Sequence, residues 1–118
     1  MIEPFWRPQE PMTPRIAYPG KVTRMSIVNI EMPTADKEYS WQLPKGLKWF
    51  TLHTADGTAL RIATSSGKVA GSQRPYWTLK LDTSWSEENL DIQGEDDFFY
   101  FACGSASKVV EIIVGIEE

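Results

Sequence analysis

The sequence predicts an all-β protein: a small antiparallel β-sandwich or jelly-roll-like barrel of about eight strands, preceded by an extended, proline-rich N-terminal arm. Three observations carry that expectation. From Lys21 onward, apolar residues recur with period two, the pattern of strands that bury one face. Turn residues (Gly, Pro, Asp, Asn, Ser) interrupt this pattern every 8–12 residues or so, the spacing of a sandwich or barrel. No segment holds a convincing 3.6-residue repeat.

The arm comes first. Five of the eight prolines, Pro4, Pro8, Pro11, Pro14 and Pro19, fall within residues 1–20. Proline at such intervals breaks a helix and removes sheet donors, and it favours an extended polyproline course. The same stretch carries Phe5, Trp6, Met12, Ile16 and Tyr18, side chains that disordered tails usually lack. They call for a surface to lie on, either the arm's own domain or a neighbouring subunit. Residues 1–20 are therefore read as an arm and 21–118 as the β-domain.

Within that domain, residues 22–31 form a β-branched first strand ending before Pro33. Residues 37–43 place Tyr39, Trp41 and Leu43 on one face, and Pro44-Lys45-Gly46 makes a turn. Residues 47–54 put Phe50, Leu52 and Thr54 on one side and Trp49, Thr51 and His53 on the other. Asp56-Gly57 supplies the positive φ of a tight hairpin turn, with residues 58–64 as the return strand. A Gly/Ser-containing loop over 65–75 reads as a flexible connection. Residues 76–81 form a strand with Trp77, Leu79 and Leu81 inward. Residues 84–90 could make a single helical turn capped by Ser84 or Ser86, followed by a short strand at Leu90-Asp91-Ile92. Residues 98–103 are apolar enough for a central strand, and 109–116 close the domain.

Composition limits the chemistry. A net charge of −4 over 118 residues argues against a nucleic-acid partner, which wants a basic face. No apolar run reaches the ~18 residues of a membrane span, and the N-terminus lacks signal-peptide character, so the chain is expected in the cytosol at synthesis. One histidine, His53, and one cysteine, Cys103, fall short of the usual zinc ligand sets and of an intrachain disulfide. No metal and no cofactor are expected. Cys103, inside an aromatic run, reads as a buried small hydrophobe, and His53 as a structural or surface residue. No enzyme is expected.

Other constellations read as structure. Glu87, Glu88, Asp91, Glu95, Asp96 and Asp97 lack the alternation of a calcium loop and read as solvated acidic turns. Gly67-Lys68-Val69-Ala70-Gly71-Ser72 has the wrong spacing for a phosphate loop. The five tryptophans suit either a small core and its contacts or a sugar platform. Trp41 and Trp77 fall in register with apolar neighbours, as core residues do. Trp49, facing Thr51 and His53, and Trp85, in a polar loop, are the candidates for an exposed contact.

The stretch from Glu38 to Ile116 resembles a family of small bacteriophage virion structural proteins. The resemblance runs through Tyr39-Ser40-Trp41-Gln42-Leu43-Pro44-Lys45-Gly46, Gly57-Thr58-Ala59-Leu60-Arg61, Tyr76-Trp77-Thr78-Leu79-Lys80, and Ser105-Ala106-Ser107-Lys108-Val109-Val110-Glu111-Ile112. It covers about two thirds of the chain and leaves the arm unmatched. It implies a non-enzymatic β-sandwich, a homo-oligomer in a symmetric assembly on or in the virion, put together in the host cytoplasm. The first expectation is a capsid decoration or cement protein whose arm binds the major capsid protein or another virion protein. Neck or tail attachment, and a carbohydrate- or receptor-binding module, are the alternatives.

Overall fold

The computed structural model describes residues 24–117. The chain forms eight strands: β1 (Arg24–Met32), β2 (Tyr39–Gln42), β3 (Leu47–Thr54), β4 (Leu60–Ala63), β5 (Trp77–Leu79), β6 (Trp85–Glu87), β7 (Phe98–Ala102) and β8 (Lys108–Ile116). The expected arm, with Phe5, Trp6, Met12, Ile16 and Tyr18, lies outside the described residues.

Two four-stranded sheets result, ordered β1-β8-β3-β6 and β2-β7-β4-β5, with every pairing antiparallel. The chain changes sheet at every connection except β4 to β5. Each sheet is thus assembled from strands distant in sequence, which is the topology of a jelly roll. The all-β fold follows the expectation from the period-two pattern.

The longest ladder joins β1 to β8, from Arg24↔Ile116 to Met32↔Lys108. β3 then pairs with the other side of β8. The inward faces of both sheets meet in one core that includes Met32, Trp41, Phe50, Leu52, Phe101 and Ile112. Each of these is at most 7 % exposed. Thr54, a buried polar residue, donates its hydroxyl to the Thr58 carbonyl at 2.6 Å, so its burial leaves no donor unsatisfied.

Several local expectations are corrected. Asp56-Gly57 does form a tight turn, with Gly57 at φ +82° and its N–H donating to the Thr54 carbonyl. It does not close a hairpin, because β3 and β4 belong to different sheets. The turn chemistry was legible, but the partner of each strand was not. The possible helical turn over 84–90 is instead β6. Trp85-Ser86-Glu87 is itself a short alternating pattern, and Trp85 points inward while Ser86 shares a 2.7 Å hydroxyl hydrogen bond with Thr51. The short strand expected at 90–92 is absent. That segment only runs beside β3, through Leu90 N–H to the Lys48 carbonyl and Gly46 N–H to the Ile92 carbonyl.

The loop over 64–76 is packed rather than a flexible connection. Val69 is fully buried against Ala63 and Ala102 on the outer face of the second sheet, flanked by Tyr76 and Tyr100. Arg61 Nε donates to the Val69 carbonyl at 2.7 Å, and Glu38 accepts from Ser66 Oγ and Gly67 N–H. β7 is central, as expected, although Phe98, Phe99 and Tyr100 remain partly exposed.

Candidate functional site

The sheet order places β6 at one edge of the first sheet and β5 at one edge of the second. These edges lie on the same side of the sandwich, where their side chains meet across an open mouth. Trp77 lies on the same face as buried Leu79 and so faces inward, yet it is 49 % exposed where the cleft opens. The expectation that Trp77 belongs to the core is therefore corrected in burial, though not in direction. Leu81, also expected inward, follows β5 and is 64 % exposed.

Trp77 meets Trp85 edge-on at 5.1 Å between ring centroids. Trp85 in turn contacts Phe50 at 5.0 Å and Phe99 at 5.2 Å, and both of those rings reach Trp41. Five aromatic rings thus run without a break from the buried core to solvent. Edge-to-face and tilted pairs of this kind add about 0.5–1.5 kcal/mol each beyond their burial, so the outermost rings are held in place before anything binds. The Trp85 indole N–H donates to Glu87 Oε2 at 2.7 Å, which fixes the ring's rotation.

Around these two tryptophans lies a cleft of about 410 Å³, walled also by Ile62, Pro75, Tyr76 and Phe99. Arg74 sits over the Tyr76 ring at 4.9 Å, giving that rim a cation. The β6 rim carries Glu87 and Glu88. Such a surface suits a flat or ridged apolar ligand.

The outer face of the first sheet is a second apolar surface. Register places Ile27, Ile113 and Thr51 in one row, and Met25, Gly115 and Trp49 in the next. Ile27 is 70 % and Met25 54 % exposed. Trp49, one of the two expected contact residues, is half-buried here, with its indole lying over Gly115. Trp85, the other, is half-buried on β6 rather than in a polar loop.

The titratable residues are dispersed. His53 lies on the same outer face and shares a 2.8 Å hydrogen bond with Glu111, both side chains about half exposed. Cys103 is buried, with its thiol toward the Ala59 carbonyl at 3.4 Å. Asp91, of the acidic segment, pairs with Lys48. Among the described residues, no group of three or more His, Cys, Asp or Glu side chains is placed to hold a metal ion. One electrostatic unit ties two chain segments together. Lys108 Nζ lies 2.6 Å from Asp56 Oδ2, and Thr58 donates both its hydroxyl and its N–H to Asp56 Oδ1. Lys108 first, and Thr58 after it, hold the Asp56 carboxyl well below the usual carboxylate range. The same pairing raises the Lys108 ammonium above its ordinary value. The unit ties the β3–β4 turn to the start of β8.

The period-two pattern alone missed the exposure of Trp77 and Leu81. A signal was present in the proline and glycines preceding Trp77, which mark a strand that begins at a loop.

Comparison with known proteins adds little. No family model matches the chain, and no curated protein matches it. Among solved structures, a de novo designed double-stranded β-helix aligns over 79 % of this chain and 99 % of its own, at 16 % identity and a TM-score of 0.45. A structure described as Bacillus endospore appendages that form disulfide-linked pili aligns over 90 % of this chain and 100 % of its own, at 12 % identity and a TM-score of 0.37.

Proposed function

We propose that this chain is a structural subunit of a bacteriophage virion, a decoration or cement protein that binds the head through its N-terminal arm. The observation that supports this reading is the apolar patch on the outer face of the first sheet, where exposed Met25 and Ile27 lie beside Trp49 and Ile113 at the start of β1. An isolated exposed apolar residue is ordinary, whereas a contiguous apolar patch on one sheet face marks a contact surface. Jelly rolls recur among viral capsid proteins. That is an analogy of fold, and the same architecture serves lectins and cupins. The resemblance over Glu38–Ile116 gives the analogy its direction.

The mechanism is adhesive. Phe5, Trp6, Met12, Ile16 and Tyr18 add contact area along an extended segment, and the rigid sandwich covers a joint between capsid subunits. Ordering such an arm costs entropy, which the buried apolar area must exceed. Deleting residues 1–20 should leave a folded domain that no longer enters particles, as measured by circular dichroism and by mass spectrometry of purified virions of the encoding phage. Incorporation of the truncated protein at the full-length level would overturn the clamp. Copy number in the same virions separates the positions: hundreds point to the capsid, about a dozen or fewer to a neck or tail ring.

A further inference from the structure

The four sheet edges of the sandwich are not alike. β2, β5 and β6 end their sheets as strands of only 4, 3 and 3 residues, and a very short edge strand offers little backbone for another chain to pair with. β1 ends the first sheet and is 9 residues long. Its ladder with β8 runs without a register shift from Arg24 to Met32, so no bulge turns the strand away. From Met25 to Ile30 it carries neither charge nor proline. A long, regular, uncharged edge presents N–H and C=O groups in position to pair with one more strand. The outer face is apolar at the same place, with Ile27 70 % and Met25 54 % exposed. On the inner face, Val28 and Ile30 pack against the core and stay partly exposed.

We propose that this edge pairs with the β1 edge of a second copy of the chain, antiparallel about a two-fold axis at Ile27, so that two four-stranded sheets become one continuous sheet. A two-fold contact uses the same patch on both copies, so the patch must complement itself. β1 meets that condition. Residues directly opposite in a strand pair share one face of the sheet. With the axis at Ile27, Ile27 meets the partner's Ile27, Met25 meets the partner's Asn29, and Ser26 meets the partner's Val28. Ile27 already lies beside Ile113 within each copy. The row across the contact is then Ile113, Ile27, the partner's Ile27 and the partner's Ile113, with no polar residue between them. The pairing covers Ile27, the most exposed large apolar side chain among the described residues.

Charge sets the direction of the pairing. β1 begins at Arg24 and carries Glu31 near its end. An antiparallel pair brings the Arg24 end of each strand level with the Glu31 end of the other. A parallel pair would set like charges side by side at both ends, which is unfavourable. Apolar matching sets the axis. At Val28 it would oppose Met25 to the partner's Glu31 and Ile27 to the partner's Asn29, and at Ser26 the ladder of described residues would stop at Val28. The dimer shares its apolar patch with the virion reading but not that reading's premise. It is tested on the purified chain, whereas incorporation is tested in virions, so the failure of one is distinct from the failure of the other.

The test is the association state of the full chain by sedimentation equilibrium. The wild type should pass from monomer to dimer as concentration rises, since a contact of one strand per copy is at the small end of specific interfaces. Ile27→Lys sets two ammonium groups against each other at the axis and should raise the dissociation constant about tenfold or more. Circular dichroism should stay unchanged, because the side chain at 27 is exposed. Ile27→Cys gives an independent reading. Under mild oxidation it should form a disulfide-linked dimer, because residue 27 meets its own copy at the axis. Ser40→Cys, exposed on the short β2 edge, should link about tenfold more slowly or less. Cys103 is 2 % exposed and stays out of reach. A wild-type chain that remains monomeric up to about 1 mM overturns the proposal. A dimer that Ile27→Lys leaves intact overturns it in favour of another surface. Equal linking rates for Ile27→Cys and Ser40→Cys overturn it as well.

Discussion

Gly115→Ala tests how Trp49 is seated. Trp49 and Gly115 are cross-strand partners in the β3–β8 ladder. A Cβ added at position 115 would fall within the Trp49 indole, 2.8 Å from Cδ1 and nearer still to Nε1 and Cε2. The added carbon enters a rigid ring rather than the end of a flexible side chain, so the indole must lift off the sheet. Overpacking of this kind costs about 1–3 kcal/mol, and replacing a strand glycine by alanine returns about 0.5–1 kcal/mol. The net loss is thus centred on ~1 kcal/mol within a span of about 0–2.5 kcal/mol, and 1 kcal/mol is roughly 4–8 °C in Tm for a domain of this size. Urea denaturation followed by far-ultraviolet circular dichroism, on the wild type, both single variants and the double variant, measures it. In a Trp49→Ala background the clash is gone and only the backbone gain remains, so Gly115→Ala should become neutral or slightly stabilising. A coupling of about 1–3 kcal/mol is the signature of such a contact pair. Equal destabilisation by Gly115→Ala in both backgrounds would refute the stacking.

Other outcomes follow from the core and from the turn. Phe50→Ala removes the ring that joins Trp41, Phe99 and Trp85 at a site 1 % exposed. It should cost about 3–5 kcal/mol in the same denaturation assay, and Trp77 should become more accessible to acrylamide. Asp56→Asn should lower Tm at neutral pH by breaking the contacts to Lys108 and Thr58. The folded carboxyl titrates below its unfolded value of ~3.9, so its contribution is fully present above that pH and fades as pH falls below it. The Tm gap between wild type and Asp56→Asn should therefore hold from pH 7 to about pH 4 and shrink under more acid conditions. A gap that widens in acid would mean that Lys108 and Thr58 do not favour the ionised form.

The inward face of nearly every long strand is legible in the sequence, because period two is a property of the strand itself. Phe50, Leu52 and Thr54 point inward together, as do Leu60 with Ile62 and Val110 with Ile112 and Val114. What the pattern cannot carry is the identity of each neighbour. Asp56-Gly57 makes the turn its residues demand, yet whether the chain then pairs back or crosses to the other sheet is decided by β7 and β8, which come some 40 residues or more later. The same gap explains the candidate site. Trp77 and Trp41 show the same alternation and both stand on edge strands, but Trp41 packs against Phe50 and Phe99 while Trp77 borders an open mouth. Trp85 was misplaced for the complementary reason, since a three-residue strand needs the ring of Phe50 across from it to be recognisable as one. Burial at a sheet edge is thus a consequence of topology. Here the β5 and β6 edges bring Trp77 and Trp85 from opposite sheets into one cleft. The proline spacing in the arm is local and survives in the sequence, whereas the cleft is non-local and emerges only when β5 and β6 meet.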